Sequence, residues 1–501
     1  MISEGIVPLF VAIPLAGAFL IALLKRIKGI SDTFGILASA GTFALSILFL
    51  LKMEAGQRVI YNIGNWGGFN EVLGKIVGIQ LAVDGLTIFM LLIVNFVAFI
   101  VALYSVNYMT RYTQKWQFYC LFLLMLAGMN GVLITGDMFN LFVFIEIASL
   151  ASYALVAFGT EKRELEASFK YAVMGGMASL LILMGVIFLY SYTGTLNMAD
   201  MTGVLAGSQQ PALMYLIFGL LLTGFGLKAA VVPFHAWLPD AHPSAPAPIS
   251  AMLSGVLIKA LGVYVIARVF FTIFGFPHQI SIILMTLGAI SMGVGALVAL
   301  RQWDMKRLLA YSSISQVGYI MLGLGIGTPL GIMGALFHLF NHSIFKSLLF
   351  LDSGAVEYAA GTRNMKEMGG LSRKLPVTSG STLVGAMSLA GIPPFAGFWS
   401  KLIIIIALVE ANHMKLAAWA VLISIITIAY IVKVTRFAFL GALKDRFANI
   451  KEVPVLMRIS LIVLALVCIF GGLLLIPEVR DTFLSPAVRV LISGTGGGAG
   501  S

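Results

Sequence analysis

Two stretches of the sequence share one unusual pattern, an apolar run interrupted by proline. They read Lys228-Ala-Ala-Val-Val-Pro233-Phe234-His235-Ala-Trp237 and Ala390-Gly-Ile-Pro393-Pro394-Phe395-Ala-Gly-Phe-Trp399-Ser-Lys401. Proline removes a helical hydrogen bond and its ring clashes with the preceding turn. Each stretch therefore predicts a broken helix whose freed carbonyls can face ions or water inside the protein. Ordinary kinks, which membrane helices tolerate, are the plainer alternative.

The composition around these stretches is that of a membrane protein. Of 501 residues, 60% are hydrophobic and only 11% are charged, whereas soluble domains have about 45–50% and about 25%. Roughly 300 apolar residues fill about 14 spans of ~20 residues each. A soluble protein is excluded, and the net charge of +11 is better explained by basic loops than by nucleic acid binding. We expect an all-α polytopic membrane protein.

Hydropathy places the spans and basic residues orient them. Lys and Arg gather in alternate loops, which predicts both termini on the outer face of the cell membrane. The predicted spans are 4–24, 31–51, 81–106, 117–135, 138–158, 167–192, 211–231, 247–273, 279–300, 308–326, 331–356, 376–409, 415–440 and 456–476. The basic loops hold Lys25, Arg26, Lys28, Arg111, Lys115, Lys162, Arg163, Lys170, Arg301, Lys306, Arg307, Arg363, Lys366, Arg373, Lys374, Arg436, Lys444, Arg446, Lys451 and Arg458, and the opposite loops only Lys52, Arg58, Lys75, Arg268 and Lys415.

The two broken helices lie in matching places. Pro233 and Pro394 are 161 residues apart, with five spans separating one broken helix from the other. Five is an odd number, so a second copy of a five-helix unit crosses the membrane in the opposite direction. Interrupted segments at corresponding positions of inverted repeats indicate the ion path of a transporter.

Charged residues inside the predicted spans form a series. Each one costs about 2.5–3.5 kcal/mol at the centre of the membrane on insertion scales, so each needs a reason. Among them, His338, His342 and Lys346 are spaced at i, i+4 and i+8 and so share one helix face. A row of such groups fits a proton relay. The residues are Asp84, Glu146, Lys228, Lys259, His338, His342, Lys346 and Lys401.

Plainer interpretations exist for parts of this series. Glu146 and Lys228 could be a static ion pair, and His338 and His342 have the i, i+4 spacing of a zinc site. The residues between the two histidines supply no carboxylate, unlike the metalloprotease pattern, so we expect no bound metal. A relay explains the whole row, because a lysine releases its proton more easily when its partner carboxylate moves away.

At these residues the sequence resembles the antiporter-like membrane subunits shared by respiratory complex I, Mrp cation/proton antiporters and membrane-bound hydrogenases. It looks most similar to the Mrp D-type and hydrogenase H-type subunits. The resemblance covers nearly the whole chain. The stretches that carry it are Asp137-Met-Phe-Asn-Leu-Phe-Val-Phe-Ile-Glu146, Gly226-Leu-Lys228 to Pro248, Leu257-Ile-Lys259-Ala, His338-Leu-Phe-Asn-His342-Ser-Ile-Phe-Lys346 and Gly391 to Lys401.

The resemblance implies 14 transmembrane helices with inverted five-helix repeats at helices 4–8 and 9–13. The implied divisions are residues 1–110 for helices 1–3, 111–275 and 276–442 for the two repeats, and 443–501 for helix 14 and a flexible tail at Gly494–Ser501. It also implies roles: Glu146 pairs with Lys228 as the uptake-side switch, Lys259 is the central relay, His338 and His342 bridge the half-channels, and Lys401 is the terminal exchanging residue. Some relatives have glutamate at this last position.

The leading hypothesis is a proton-translocating subunit of a multisubunit membrane complex. We expect no cofactor and no active site of its own, since the chain has no cysteine cluster and no dinucleotide-binding motif, so any redox chemistry belongs to partner subunits. The sequence leaves open whether Na⁺ moves as well as H⁺, and whether a cation antiporter or a hydrogenase-like module is the parent complex. The rival hypothesis is a self-contained carrier of an organic substrate.

Overall fold

The computed structural model describes residues 3–54, 56–65, 69–70, 75–76, 78–206 and 211–494. Most of the predicted Gly-rich tail therefore lies outside the described residues. The helices are α1 Leu9–Leu23, α2 Ile30–Lys52, α3 Gly85–Tyr108, α4 Lys115–Ile134, α5 Met138–Val156, α6 Lys162–Thr193, α7 Met198–Leu205, α8 Pro211–Ala229, α9 Leu238–Ser244, α10 Ala247–Met252, α11 Val265–Ala267, α12 His278–Arg301, α13 Met305–Ile326, α14 Pro329–Ala360, α15 Pro376–Ala390, α16 Ala396–Glu410, α17 Met414–Val434, α18 Val455–Phe470, α19 Pro477–Phe483 and α20 Ser485–Gly494.

The molecule is a polytopic helical membrane protein. Within the described chain, twelve helices are long and apolar enough to cross a bilayer. Two of the predicted spans are not among them. The span at 331–356 corresponds to α14, which is long enough but has several polar and charged residues, and the span at 376–409 is divided into α15 and α16 of 15 residues each.

The core of the bundle is formed by α3, the helix Ala247–Ile273, α13 and α14, which are buried over most of their length. The helix Ala247–Ile273 contains three wide π-helical turns, at Leu253–Leu257, Lys259–Tyr264 and Arg268–Ile273. Apolar side chains of the surrounding helices face outwards, as a lipid-facing surface requires.

Residues between α2 and α3 form short antiparallel strands. Strand β1 (Val59–Asn62) pairs with β4 (Gln80–Val83), and β2 (Phe69–Asn70) pairs with β3 (Lys75–Ile76). The predicted start of the third span at residue 81 is therefore wrong, because hydropathy does not distinguish an apolar strand from the end of an apolar helix. The helix begins at Gly85, after Asp84 accepts a hydrogen bond from the backbone N–H of Thr87 at 3.0 Å.

Several basic residues that the sequence assigned to loops lie within helices instead, and Arg268 and Lys306 are two of them. Arg268 is in the helix Ala247–Ile273, where its guanidinium pairs with Asp84 at 2.6 Å. Lys306 lies in the first turn of α13 and is 1% exposed. The sequence analysis counted Lys306 among the basic loops and Arg268 among the opposite loops. The excess of basic residues on one side of the membrane therefore remains when both are left out of the count.

Two parts of the chain have matching geometry at an offset of 167 residues. Helices α6 and α14 are both 32 residues long, and both end at a glycine with positive φ, 64° at Gly194 and 68° at Gly361. The short antiparallel bridges Asp137↔Asn197 and Asp304↔Asn364 follow the same offset. The sequence analysis found only the proline pair and missed this second match.

Candidate proton relay

The carboxylate of Glu146 and the ammonium of Lys228 form an ion pair across α5 and α8. Lys228 Nζ lies 3.6 Å from Glu146 Oε1, and the lysine side chain is 3% exposed whereas the glutamate side chain is 27% exposed. Lys228 also donates to the hydroxyls of Ser149 at 2.9 Å and Ser179 at 3.1 Å. Ser179 in turn donates to Glu146. The pair is therefore held by hydroxyl groups from two neighbouring helices.

The position of Lys228 follows from the first broken helix. Helix α8 ends one residue later at Ala229, and Ala230 has a positive φ of 55°. The indole N–H of Trp237 donates to the carbonyl of Leu227 at 3.0 Å, which satisfies one of the carbonyls left free by the break. Lys228 is thus fixed in the last turn of α8, directly before the break.

Lys259 lies on a π-helical turn next to the end of α8. A Cβ on Gly262 would approach Ala229 to 2.5 Å, so the two backbones are in close contact there. Lys259 is fully buried and its Nζ donates to the carbonyl of Ser254. Single π-helical turns inside α-helices are frequent at functional sites. No hydrogen bond joins Lys228 to Lys259 directly in the described part of the chain.

The predicted row on α14 is buried along one face. His338, His342 and Lys346 are each 0% exposed, and the two imidazole centroids are 6.2 Å apart. The ammonium of Lys346 donates to Ser312 Oγ at 2.7 Å and to the carbonyl of Leu309 at 3.0 Å, both on α13. The lysine therefore has neutral oxygen partners and no carboxylate within ion-pair distance in the described structure.

Lys401 binds the end of the second broken helix. Helix α15 ends at Ala390, and Lys401 reaches back from α16 to the carbonyls of Leu389 at 2.8 Å and Ala390 at 3.4 Å. The preceding residue, Ser400, is 2.9 Å from Nδ1 of His338. The second break thus supplies freed carbonyls to a lysine, and it joins that lysine to the histidine row.

A charged cavity lies at the end of the bundle where α5 ends and α6 begins, and the sequence analysis missed it. Its volume is about 1390 Å³ and its lining includes both acidic and basic side chains. Lys306 lies at its wall, 3.6 Å from Glu357, and donates to the carbonyl of Ala245 at 2.8 Å. The signal that could have found Lys306 is Asp304, a typical N-cap residue, which places Lys306 inside the helix.

The structure brings Glu146 together with Lys228, and His338 together with Lys401 through Ser400. The roles predicted for these residues stay predictions, as does the expected absence of a metal. In the described part of the chain, no group of three His, Cys, Asp or Glu side chains is arranged to hold a metal ion.

Comparison with protein families gives two matches. Residues 135–427 match the family described as NADH:quinone oxidoreductase/Mrp antiporter, transmembrane. Residues 74–119 match the N-terminus of chain 5 of NADH-ubiquinone oxidoreductase, complex I. The first match contains all seven residues of the predicted relay.

The chain is also similar to known proteins over nearly its whole length. It is 34% identical to the D-type subunit of the Na⁺/H⁺ antiporter of Alkalihalophilus pseudofirmus, covering 97% of this chain and 99% of that one. A chain of the Mrp complex from Dietzia sp. superposes with a TM-score of 0.90 at 27% identity, covering 99% and 100%. A chain of an archaeal membrane-bound sulfane sulfur reductase superposes with a TM-score of 0.88 at 30% identity, covering 98% and 99%.

Proposed function

Because the chain belongs to the NADH:quinone oxidoreductase/Mrp antiporter family, we propose that it is a proton-translocating subunit of a multisubunit membrane complex. Proton movement is coupled to Na⁺/H⁺ exchange or to redox chemistry in partner subunits. The observation that carries the proposal is the buried ion pair of Glu146 and Lys228, held by hydroxyls in the interior of the membrane. A static structural pair does not require the row of lysines and histidines that continues beyond it.

In this proposal each residue of the row has one role. Glu146 and Lys228 are the uptake-side switch, since separating them by more than their present 3.6 Å makes the lysine release its proton more easily. Lys259 is the central relay between the two halves. The protons then pass along the face of α14, which has His338, His342 and Lys346. Lys401 is the terminal exchanging residue.

The proposed architecture has 14 transmembrane helices with two inverted repeats. The twelve apolar helices give 14 when α14 and the α15–α16 pair are added. The 167-residue offset between α6 and α14 supports a repeat, because equal helix lengths, equal terminal glycines and equal bridges recur together. The five spans in the offset make the second copy inverted.

We propose the following boundaries for this architecture. The three N-terminal helices occupy residues 1–110, the repeats 111–275 and 276–442, and helix 14 with the C-terminal segment 443–501. Helices α19 and α20 belong to this last segment, and α20 packs against α3. We place both termini on the outer face of the membrane, as the basic loops predict.

The side chain of Glu146 supports assembly with other membrane subunits. It is 27% exposed and lies midway along the membrane-spanning helix α5, at a depth where charge is costly in lipid. A neighbouring membrane subunit covers such a group at much lower cost, because its polar atoms replace hydrocarbon. This agrees with the multisubunit assemblies in which the structural neighbours occur.

The test measures proton movement in inverted membrane vesicles that contain the whole complex. Glu146→Gln and Lys228→Ala each remove one charge of the switch. We expect both to reduce transport, followed by a pH-sensitive dye under a Na⁺ gradient or the redox substrate of the complex, by at least about 100-fold, which corresponds to ~2.7 kcal/mol.

The matched controls are Glu410→Gln and Lys415→Ala, which make the same chemical changes at exposed positions at the end of α16 and the start of α17. These variants are expected to transport at the wild-type rate. Normal transport by Glu146→Gln and Lys228→Ala in assembled complexes would contradict the proposed function.

A further inference from the structure

One buried amide in the interior of the bundle has no partner. Gln316 is 0% exposed, and neither its Nε2 nor its Oε1 atom has a hydrogen-bond partner in the described part of the chain. Nearly all buried polar side-chain atoms are hydrogen bonded, to protein or to ordered water. An amide offers two donors and one acceptor oxygen, so Gln316 has the capacity to hold water on both of its sides.

The position of Gln316 on α13 places it between two groups of relay residues. It follows Ser312 by four residues and Ser313 by three, and it precedes Tyr319 by three. Residues three and four apart lie on the same side of a helix. From Ser312 to Tyr319 is seven residues, or about 10 Å along the axis. Gln316 lies near the middle of this distance.

On one side of Gln316 are the contacts of two lysines. Ser312 accepts the hydrogen bond from Lys346 at 2.7 Å. Ser313 lies 2.7 Å from the hydroxyl of Ser254, and the carbonyl of Ser254 accepts from Lys259. Lys346 thus contacts α13 about one turn before Gln316, and Lys259 is connected to the same turn through Ser254.

On the other side are the contacts of the terminal lysine. The ring of Tyr319 lies 5.6 Å from the imidazole of His338, centroid to centroid, and 5.2 Å from the ammonium of Lys401. A proton path from Lys346 at one end of this segment to Lys401 at the other is longer than a single hydrogen bond. It therefore needs an intermediate group that can form hydrogen bonds. Gln316 is a polar, fully buried side chain on the side of α13 that both groups contact.

We propose that Gln316 is a positioning residue that holds hydrogen-bonded water between Lys346 and Lys401, an inference that rests on the proposed function. One N–H bond of the donor lysine breaks as its proton passes to the first of a row of waters, each water passes a different proton to the next, and the last water gives a proton to the neutral amine of the acceptor, where a new N–H bond forms. The amide of Gln316 gains and loses no proton. Its donors and its acceptor orient the water.

The experiment compares two substitutions that separate water holding from packing. Gln316→Met keeps the side-chain length but fills the space with apolar atoms, whereas Gln316→Ala leaves space that water can occupy in a polar site. We expect the proton transport rate of the complex in vesicles to fall at least about tenfold in Gln316→Met, as for the loss of one hydrogen bond. Gln316→Ala is expected to retain more activity than Gln316→Met.

A packing role gives the opposite order, because Met preserves volume and Ala leaves a cavity. The opposite order, or a wild-type rate in Gln316→Met, overturns the inference. Assembly is checked by size-exclusion chromatography of the purified complex. If Gln316→Met does not assemble, Gln316→His, which keeps a donor and an acceptor, is compared with Gln316→Leu: a rate retained only by His supports the inference, and equal rates overturn it.

The matched control is Ser315→Ala on the same helix. The hydroxyl of Ser315 is also fully buried, but it donates to the carbonyl of Met292 at 3.0 Å on α12, away from the lysines. Its removal is expected to leave transport unchanged. If Lys346→Ala and Lys401→Ala also transport normally, the proposed function itself fails. If those two stop transport and Gln316→Met does not, only the role of Gln316 fails.

Discussion

At the scale of single residues, Lys401 shows how the broken helix is used. The carbonyls of Leu389 and Ala390 at the end of α15 receive hydrogen bonds from its ammonium at 2.8 and 3.4 Å. The last carbonyls of a helix lack internal partners and carry partial negative charge, so a cation there is favourable. The neutral amine loses much of this interaction. Protonation of Lys401 and its hold on α15 are therefore coupled.

This coupling predicts that charge alone is not sufficient at position 401. Arginine keeps the positive charge but does not lose its proton in proteins. We expect Lys401→Arg to assemble normally and to reduce proton transport as strongly as Lys401→Ala, by at least about 100-fold. The measurement is dye-detected proton movement in vesicles that contain equal amounts of complex. A Lys401→Arg complex that transports near the wild-type rate would show that the residue acts only as a fixed charge.

The sequence indicates some residues of the site and not others, for a physical reason. Glu146 and Lys228 stand out because charges in apolar runs are costly, and the structure places them 3.6 Å apart. Ser400 and Gln316 are fully buried, but neutral polar side chains are common in membrane helices and give no such signal. Helix packing decides which neutral polar side chains contact the proposed relay. The spacing of residues along the chain does not determine how distant helices pack.

At the scale of elements, the turn after α15 depends on Gly391. This residue has a positive φ of 79°, and a Cβ there would lie 3.1 Å from Cδ of Lys401. A side chain at this position is strained by the backbone conformation and also pushes against the lysine. Glycine is therefore favoured at position 391 for two reasons: the turn needs a positive φ, and the side chain of Lys401 passes close to the backbone there.

We predict that Gly391→Ala lowers proton transport about tenfold or more, because a displacement of the Lys401 ammonium by even a few tenths of an ångström weakens its two hydrogen bonds. The control is Gly380→Ala in the first half of α15, where a Cβ meets no atom within 4 Å. Transport by both variants is compared in the same vesicles. Equal rates for the two would mean that the geometry of the break tolerates a side chain.

The elements that hydropathy predicted well are the long apolar helices, since a membrane span needs about 20 apolar residues in any context. Hydropathy did not find the strands β1 to β4 or the short helices α19 and α20. Those elements lie at the ends of the bundle and are fixed by contacts with distant residues, such as the hydrogen bond from Asn197 to Gln80 at 2.9 Å. The π-helical turns around Lys259 also depend on packing and have no pattern in the sequence.

At the scale of the whole molecule, the family relationship and the partial exposure of Glu146 midway along α5 both indicate membrane partners. We predict that the chain, extracted with a mild detergent and purified through a tag, brings a stoichiometric set of other membrane subunits with it. The measurement is the subunit composition of the purified material by mass spectrometry, together with its size by chromatography. Cation-antiporter subunits alone would indicate Na⁺/H⁺ exchange, and additional redox subunits would indicate a respiratory complex.

A lone chain that transports an organic solute after reconstitution would contradict this prediction and favour the self-contained carrier. The charged cavity of about 1390 Å³ is large enough for a small solute, so binding of such a solute is the result to examine. Lone, inactive chains would contradict the prediction of stable partners as well.

The partial exposure of Glu146 also has a consequence for biogenesis. An unassembled chain presents part of this carboxylate to hydrocarbon, which is unfavourable for a charged group, so docking of a polar neighbour is favoured. The same group that we propose starts proton transfer thus destabilises unassembled copies, which gives membrane quality control a way to distinguish them from finished complexes.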